Sequence, residues 1–165
     1  MNEKINRMWK YDMLTQVLNR SGFFYCAETI LQKIKEEKSN AFIIFLDIDG
    51  LKSVNDNLGH EIGDAFIAKI AGILKEVVPK DCLIMRYGGD EFVVFGSCKQ
   101  AGRMQRIAED IKAAIKTADQ KENRSYHLAA SLGCSLHKSY EMDNLNSLIE
   151  LADKKMYEEK KNKRR

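Results

Sequence analysis

Two acidic clusters carry the clearest chemical potential in this sequence. Asp47-Ile48-Asp49 closes an uninterrupted apolar run (AFIIFL), and Gly88-Gly89-Asp90-Glu91 lies between two further apolar segments. Ionised carboxylates at the end of a buried strand are costly unless they are paired or bind a cation. Paired glycines open backbone angles closed to other residues and let a large ligand approach the main chain. If the two segments are neighbouring strands, Asp47 and the hairpin acids converge on one divalent cation. Mg²⁺ prefers hard oxygen ligands and usually takes one or two carboxylates plus substrate phosphates, so the chemistry indicated is metal-assisted phosphoryl transfer. Taken singly, each cluster also fits a plainer role: Asp49 as a turn or helix cap, and Asp90 and Glu91 as solvated turn residues.

The elements that must position these acids follow from hydrophobic spacing. Residues 21–38 predict a helix with Phe24, Ala27, Ile30, Leu31 and Ile34 on one face. The run 41–46 predicts a strand buried on both faces. A second helix starts at Gly63, aligns Phe66, Ile67, Ile70, Leu74 and Val77, and is stopped by Pro79. Residues 83–87 and 92–95 read as a hairpin around Gly88-Gly89-Asp90. A third helix is expected over about 100–118, a polar loop over 116–125 and a strand over 126–136. Asp143 is placed to cap a last helix carrying Leu145, Leu148, Ile149, Ala152 and Met156. The order is βαββαβ, the split βαβ arrangement of the α+β class. It predicts an antiparallel sheet with helices packed on one face, extra helices at both ends, and an N-terminal helical extension. Residues 1–11 read as the tail of a connecting helix and 12–165 as the domain.

Composition narrows the function classes. The chain has 165 residues, 44% of them apolar, one proline and ten glycines, which suits one globular domain able to bury a core without staples. Cys26, Cys82, Cys98 and Cys134 are scattered without ligand spacing, so reduced thiols are expected. No apolar run approaches bilayer length and residues 1–10 lack a secretory pattern. A cytoplasmic location is expected, either free or as the cytoplasmic part of a membrane-tethered protein. The formal charge of +3 does not suggest a nucleic-acid partner. The basic residues at the carboxy end, Lys154 to Arg165, read mostly as a solvated helix end. His127 and His137 lack a partner pattern and read as ordinary strand residues.

The segment Arg86-Tyr87-Gly88-Gly89-Asp90-Glu91-Phe92 resembles the signature of the GGDEF family of diguanylate cyclases. The resemblance extends along nearly the whole chain. Asp12-Met13-Leu14-Thr15 with Asn19-Arg20 and Phe23 is similar to the family's amino-terminal motif. Asp47 to Lys52, then Asn55-Asp56, Gly59-His60 and Gly63-Asp64, is similar to its central motif. Ser131-Leu132-Gly133, and Ala152-Asp153 through Tyr157 and Lys160, are similar to later ones. The resemblance implies a Mg²⁺-dependent enzyme, with Mn²⁺ as a substitute, that joins two GTP molecules into cyclic di-GMP and releases pyrophosphate. It implies that Asp47, the carbonyl of Ile48 and Asp90 hold metal, with Glu91 as the second metal-site acid. Asp90 is favoured as the base for the attacking 3′-hydroxyl. Lys52 is implied as a phosphate contact in the transition state, and Lys160 and Arg164 as a phosphate-binding pair. Asn55 and Asp64 are implied as readers of the guanine edge, Leu51 as an apolar wall of the substrate site, and Gly88 and Gly89 as its close-approach backbone. Two facing domains are required, so a homodimer is implied, commonly under an upstream sensory domain.

Some positions depart from the family pattern. Glu159 and Lys163 stand where the family has small residues, Arg165 where it has asparagine, and Leu51 where phenylalanine is frequent. The stretch 78–82 lacks the RxxD product-binding motif, so strong product inhibition through it is not expected. Asp12 and Arg20 are expected to form a structural ion pair, and His60 to be structural. A catalytically silent GTP-binding module, or a cyclase acting on one nucleotide, are the competing readings.

Overall fold

A computed structural model describes residues 8–138 and 144–164. After a helical turn at residues 8–10 come α1 (Arg20–Glu36), β1 (Asn40–Ile48), α2 (Leu51–Leu58), α3 (His60–Val77), β2 (Leu83–Arg86), β3 (Glu91–Cys98), α4 (Arg103–Lys121), β4 (Ala130–Lys138) and α5 (Leu145–Lys163). The sheet order is β2-β3-β1-β4, antiparallel at every pairing. This is the expected split βαβ core. Among the described residues no helix is long and apolar enough to cross a membrane.

The sheet is covered on both faces, not on one. β1 sits between β3 and β4, and alternate residues of its apolar run serve opposite cores. Phe42, Ile44, Leu46 and Ile48 join the cluster under α3 and α4, whereas Ala41, Ile43 and Phe45 join the cluster under α1 and α5. The two crossover helices cover the first face. The helices at the ends of the chain carry their own apolar stripes, Phe23, Ala27 and Ile34 on α1 and Leu148, Ala152 and Met156 on α5, and these are what close the second.

Several boundaries differ from the sequence expectation. The short helix α2 was not expected, because Asn, Ser and Asp are weak helix formers in isolation. It ends at Gly59, whose φ of 89° and ψ of 162° suit glycine alone, and α3 begins at His60 rather than Gly63. α4 runs on to Lys121, and residues 126–129 form an irregular lead-in to β4 pinned by Asp119, whose Oδ1 accepts the Leu128 N–H at 2.7 Å. His127 is in this segment, with Nδ1 3.2 Å from Asp119 Oδ2, not in a strand. α5 is capped by Asn144, which accepts from the Ser147 N–H; Asp143 lies outside the described residues, as does Arg165. Gly133 lets β4 and α5 meet directly: a Cβ there would lie 2.1 Å from both the Ala152 carbonyl oxygen and the Met156 nitrogen.

The expected Asp12–Arg20 pair does not form. Asp12 accepts from Thr15 (N–H at 2.9 Å, hydroxyl at 2.6 Å) and from Arg86 at 3.2 Å. Burial works against its ionisation, but these donors prevail and hold the carboxyl below its usual range. The Arg20 guanidinium instead lies 4.1 Å from the centre of the Tyr87 ring. The stretch where RxxD would sit is also engaged internally, since Arg103 grips both oxygens of Asp81 at 2.7 and 2.8 Å.

Candidate active site

β1 ends in carboxylates because its apolar residues place Asp47 at the rim of the sheet. Asp47 lies directly opposite Glu91 across the β1–β3 ladder, and the Ile48 N–H donates to the Asp90 carbonyl at 2.9 Å. The two acidic clusters therefore meet. Asp47 is nearly buried, 9% exposed. Its Oδ2 accepts from Lys160 Nζ at 3.0 Å, while its Oδ1 is buried with no hydrogen-bond partner. Burial pushes the Asp47 carboxyl up to about 6, opposed by Lys160 and reinforced by the facing carboxylate of Asp90. Burial also raises Glu91, helped by the charges of Asp47, Asp90 and Asp153 and opposed by Arg20. Burial alone raises Asp153.

A buried, unpartnered carboxylate oxygen facing a second carboxylate is a site short of positive charge. Among the described residues, no group of three or more His, Cys, Asp or Glu side chains forms a metal cage. What exists is a two-carboxylate rim, Asp47 and Asp90, with the Ile48 backbone between them. Those residues fit Mg²⁺, which keeps waters and completes its shell with phosphate oxygens.

The hairpin tip is shaped by contacts more than by unusual angles. Neither Gly88 nor Gly89 has a positive φ, contrary to the expectation that the pair supplies special backbone conformations. Gly88 instead leaves room for Glu91, whose Oε2 would lie 2.6 Å from a Cβ, and Gly89 faces open space. Arg86 fixes the turn, donating to the Gly89 carbonyl at 2.8 and 3.2 Å while also holding Asp12. The sequence offered no separate signal for this latch, since Arg86 stands inside the signature without a visible partner.

A cleft of about 490 Å³ opens beside the acids. Ile48, Leu51, Lys52, Asp90, Lys160 and Arg164 line it, with Ser53, Asp56 and Asn57. Leu51 is buried as an apolar wall, and Lys52 is exposed on α2. Asn55 and Asp64 do not line this cleft. Asn55 lies at the corner between α2 and α3, where its amide covers Gly63: a Cβ on Gly63 would fall 1.7 Å from Asn55 Oδ1. Asp64, the next residue, is exposed there. His60 is exposed at the start of α3.

The two departures on α5 are both engaged. Glu159 Oε2 accepts the Leu132 N–H at 2.7 Å and its Oε1 accepts from Lys112 of α4 at 2.9 Å. Lys163 donates to the Ala130 carbonyl at 2.6 Å and to Asp49 Oδ2 at 3.1 Å. Ser131 donates its hydroxyl to Asp49 at 2.9 Å. Sequence inspection showed these residues as exceptions but not their partners, which lie about 30 to 110 positions away.

Comparison with known proteins agrees with this fold. The family model for the diguanylate cyclase GGDEF domain matches residues 9–165. Diguanylate cyclase A of Treponema denticola is 29% identical over 167 residues, covering 99% of this chain and 45% of that protein. Diguanylate cyclase VdcA of Vibrio cholerae is 31% identical over 159 residues, covering 95% and 46%. The chain thus spans about half the length of these relatives. Among solved structures, the coiled coil and GGDEF domain of DgcB from Caulobacter crescentus, in complex with c-di-GMP, superposes with a TM-score of 0.84 at 25% identity, covering 97% of this chain and 85% of that one. The chain belongs to the GGDEF-domain family of diguanylate cyclases.

Proposed function

We propose that this domain is an active diguanylate cyclase, condensing two GTP into cyclic di-GMP and two pyrophosphates with Mg²⁺, or Mn²⁺ in its place. The observation that carries the reading is the buried, unpartnered Oδ1 of Asp47 opposite Asp90 at the mouth of a cleft lined by Lys52, Lys160 and Arg164. Bound metal supplies charge neutralisation on the triphosphate and a lowered pKa for the attacking hydroxyl. Asp47, the Ile48 carbonyl and Asp90 hold it, with Glu91 as the adjoining acid. Lys160 and Arg164 grip phosphate oxygens as point charge and fork, and Lys52 meets charge that develops on the transferring phosphoryl group. Asp90, half-buried at the hairpin tip, takes the proton of the 3′-hydroxyl offered by the other half.

Asn55 and Asp64 read guanine, whose N–H donors a carboxylate accepts as a pair. Adenine places an acceptor against it and leaves both unpaired, a mismatch that can discriminate by about 10⁴-fold. Inosine triphosphate lacks the exocyclic amino donor. Asp64→Asn should therefore narrow the preference for GTP over inosine triphosphate in initial-rate comparisons, with the metal dependence unchanged. An undiminished preference removes Asp64 from the base pocket.

One domain holds one nucleotide, so the reaction needs two domains facing each other about a twofold axis. Specific activity should rise with protein concentration until the pair is saturated. A flat dilution series contradicts a transient homodimer. Product chromatography after incubation with GTP and Mg²⁺ tests the whole reading. Cyclic di-GMP with pyrophosphate upholds it, whereas unchanged GTP indicates a silent binding module and a cyclic mononucleotide indicates a different cyclase.

A further inference from the structure

Two carboxylates flank the last residue of β1, yet they are treated unequally. Asp47 has one donor on Oδ2 and an empty Oδ1. Asp49 is surrounded: Ser131 donates to both its oxygens at 2.9 and 3.1 Å, Lys163 reaches Oδ2 at 3.1 Å, and Lys160 approaches Oδ1 at 3.8 Å. Lys163 is itself anchored, because its ammonium also donates to the Ala130 carbonyl at 2.6 Å. The last turns of α5 that carry it are fixed by Glu159 on the Leu132 N–H. Ser131 is fully buried, so its hydroxyl has no solvent to turn to.

We propose that Lys163 holds Asp49 out of the cation's coordination shell, so that of the two acids at the end of β1 Asp47 reaches the metal, beside Asp90 and the Ile48 carbonyl, and Asp49 does not. The inference rests on the reading of Asp47 and Asp90 as a cation site, and it adds a positioning residue at a place where the sequence departs from its family. An ammonium on a side chain rooted at the end of a helix neutralises the second strand-end acid without filling the cleft. Lys160 has no such anchor. It spans Asp47 and Asp49 and also lines the cleft, so it can leave for a phosphate while Lys163 stays. Cation affinity rises with the number of charged oxygen ligands in reach. Two carboxylates bind Mg²⁺ weakly enough that its capture depends on the triphosphate it arrives with. A third would retain metal in the absence of nucleotide.

The test is binding of Mn²⁺ alone to the purified chain, followed by the electron paramagnetic resonance of free Mn²⁺, with no nucleotide present. Lys163→Met should bind Mn²⁺ about tenfold more tightly than the wild type, because it frees a charged ligand. Lys163→Arg should stay at the wild-type value, and Lys163→Met combined with Asp49→Asn should return to it. Ser131→Ala provides an independent route to the same end and should also tighten binding. Far-UV circular dichroism checks that each variant keeps the helix content of the wild type. If Lys163→Met and Ser131→Ala bind no more tightly than the wild type while Asp47→Asn weakens binding, the cation site stands and the role given to Lys163 is overturned. If Asp47→Asn binds Mn²⁺ as well as the wild type does, the cation site itself is misplaced and both readings fall.

Discussion

Asp47→Asn is expected to reduce cyclic di-GMP formation about 10²- to 10³-fold, the scale seen when one preorganised charge-stabilising group is lost, and yet to melt at a higher temperature than the wild type at pH 7.5. The two effects share one cause. In the folded chain the Asp47 carboxyl is pushed from 3.8 up to about 6 by burial, with the facing Asp90 charge adding to it and Lys160 opposing it. Its ionised form is therefore less favourable in the folded chain than in the unfolded one. Between pH 3.8 and about 6 the folded state binds more protons, so this group's contribution to stability falls as pH rises through that window and stays unfavourable above it. Asparagine keeps the shape and does not ionise, so the penalty disappears at neutral pH. For a domain of this size each kcal/mol recovered appears as about 2–4 °C. The advantage of the variant should vanish below pH 4, where the aspartate is protonated in both states. Thermal melts at pH 7.5 and pH 3.5, beside product chromatography, check both parts. A lower melting temperature at pH 7.5, or activity within tenfold of wild type, means that Asp47 serves the fold through Lys160 rather than holding a cation.

Gly133→Ala should be among the most destabilising single-methyl changes available to this chain. The added Cβ would lie 2.1 Å from the Ala152 oxygen and the Met156 nitrogen and 2.8 Å from the Lys155 carbonyl carbon. All three are helix backbone, so no side-chain rotation relieves the contact and α5 must lift off β4. Overpacking typically costs about 1–3 kcal/mol, and an unyielding backbone places this site at or above the top of that range. Because α5 carries Lys160, Arg164 and the apolar stripe that closes the second sheet face, whatever protein folds should also show a raised KM for GTP. Gly72→Ala is the internal contrast. It lies within α3 with nothing within 4 Å of its Cβ position, and glycine in a helix is about 0.5–1 kcal/mol worse than alanine. Urea midpoints should therefore move in opposite directions for the two variants. An unmoved midpoint for Gly133→Ala would mean that α5 does not seat on β4 as described.

The sheet was legible because its strands are short apolar runs of β-branched and aromatic residues, and because the hairpin sits between two of them. The meeting of Asp47 with Asp90 was legible for the same reason: once β1 and β3 are neighbours, the register follows from the burial of Phe42 through Leu46 and leaves the acids at one end. The second helical layer was not. Each terminal helix shows an apolar stripe, but nothing local says which sheet face it will cover. α2 was hidden because its residues favour turns in isolation, and its form depends on the Gly59 corner and on the burial of Leu51 and Val54. The pairs Asp12–Arg86, Lys112–Glu159 and Asp49–Lys163 join residues 47 to 114 positions apart, and charge alone does not choose among so many possible partners. Asp12 with Arg20 is the pairing that proximity in sequence suggests, and the fold instead gave Arg20 a ring to stack on and Asp12 a turn to hold.

β4 ends the sheet on one side, and a bare strand edge is a template on which another chain can build. Here the outward Leu132 N–H and Ala130 carbonyl are already taken by Glu159 and Lys163, while Lys112 reaches round from the opposite helical layer to meet Glu159. That corner cannot accept a further strand without first giving up charged hydrogen bonds. Two copies of this domain are thereby discouraged from fusing their sheets side by side along this corner of β4.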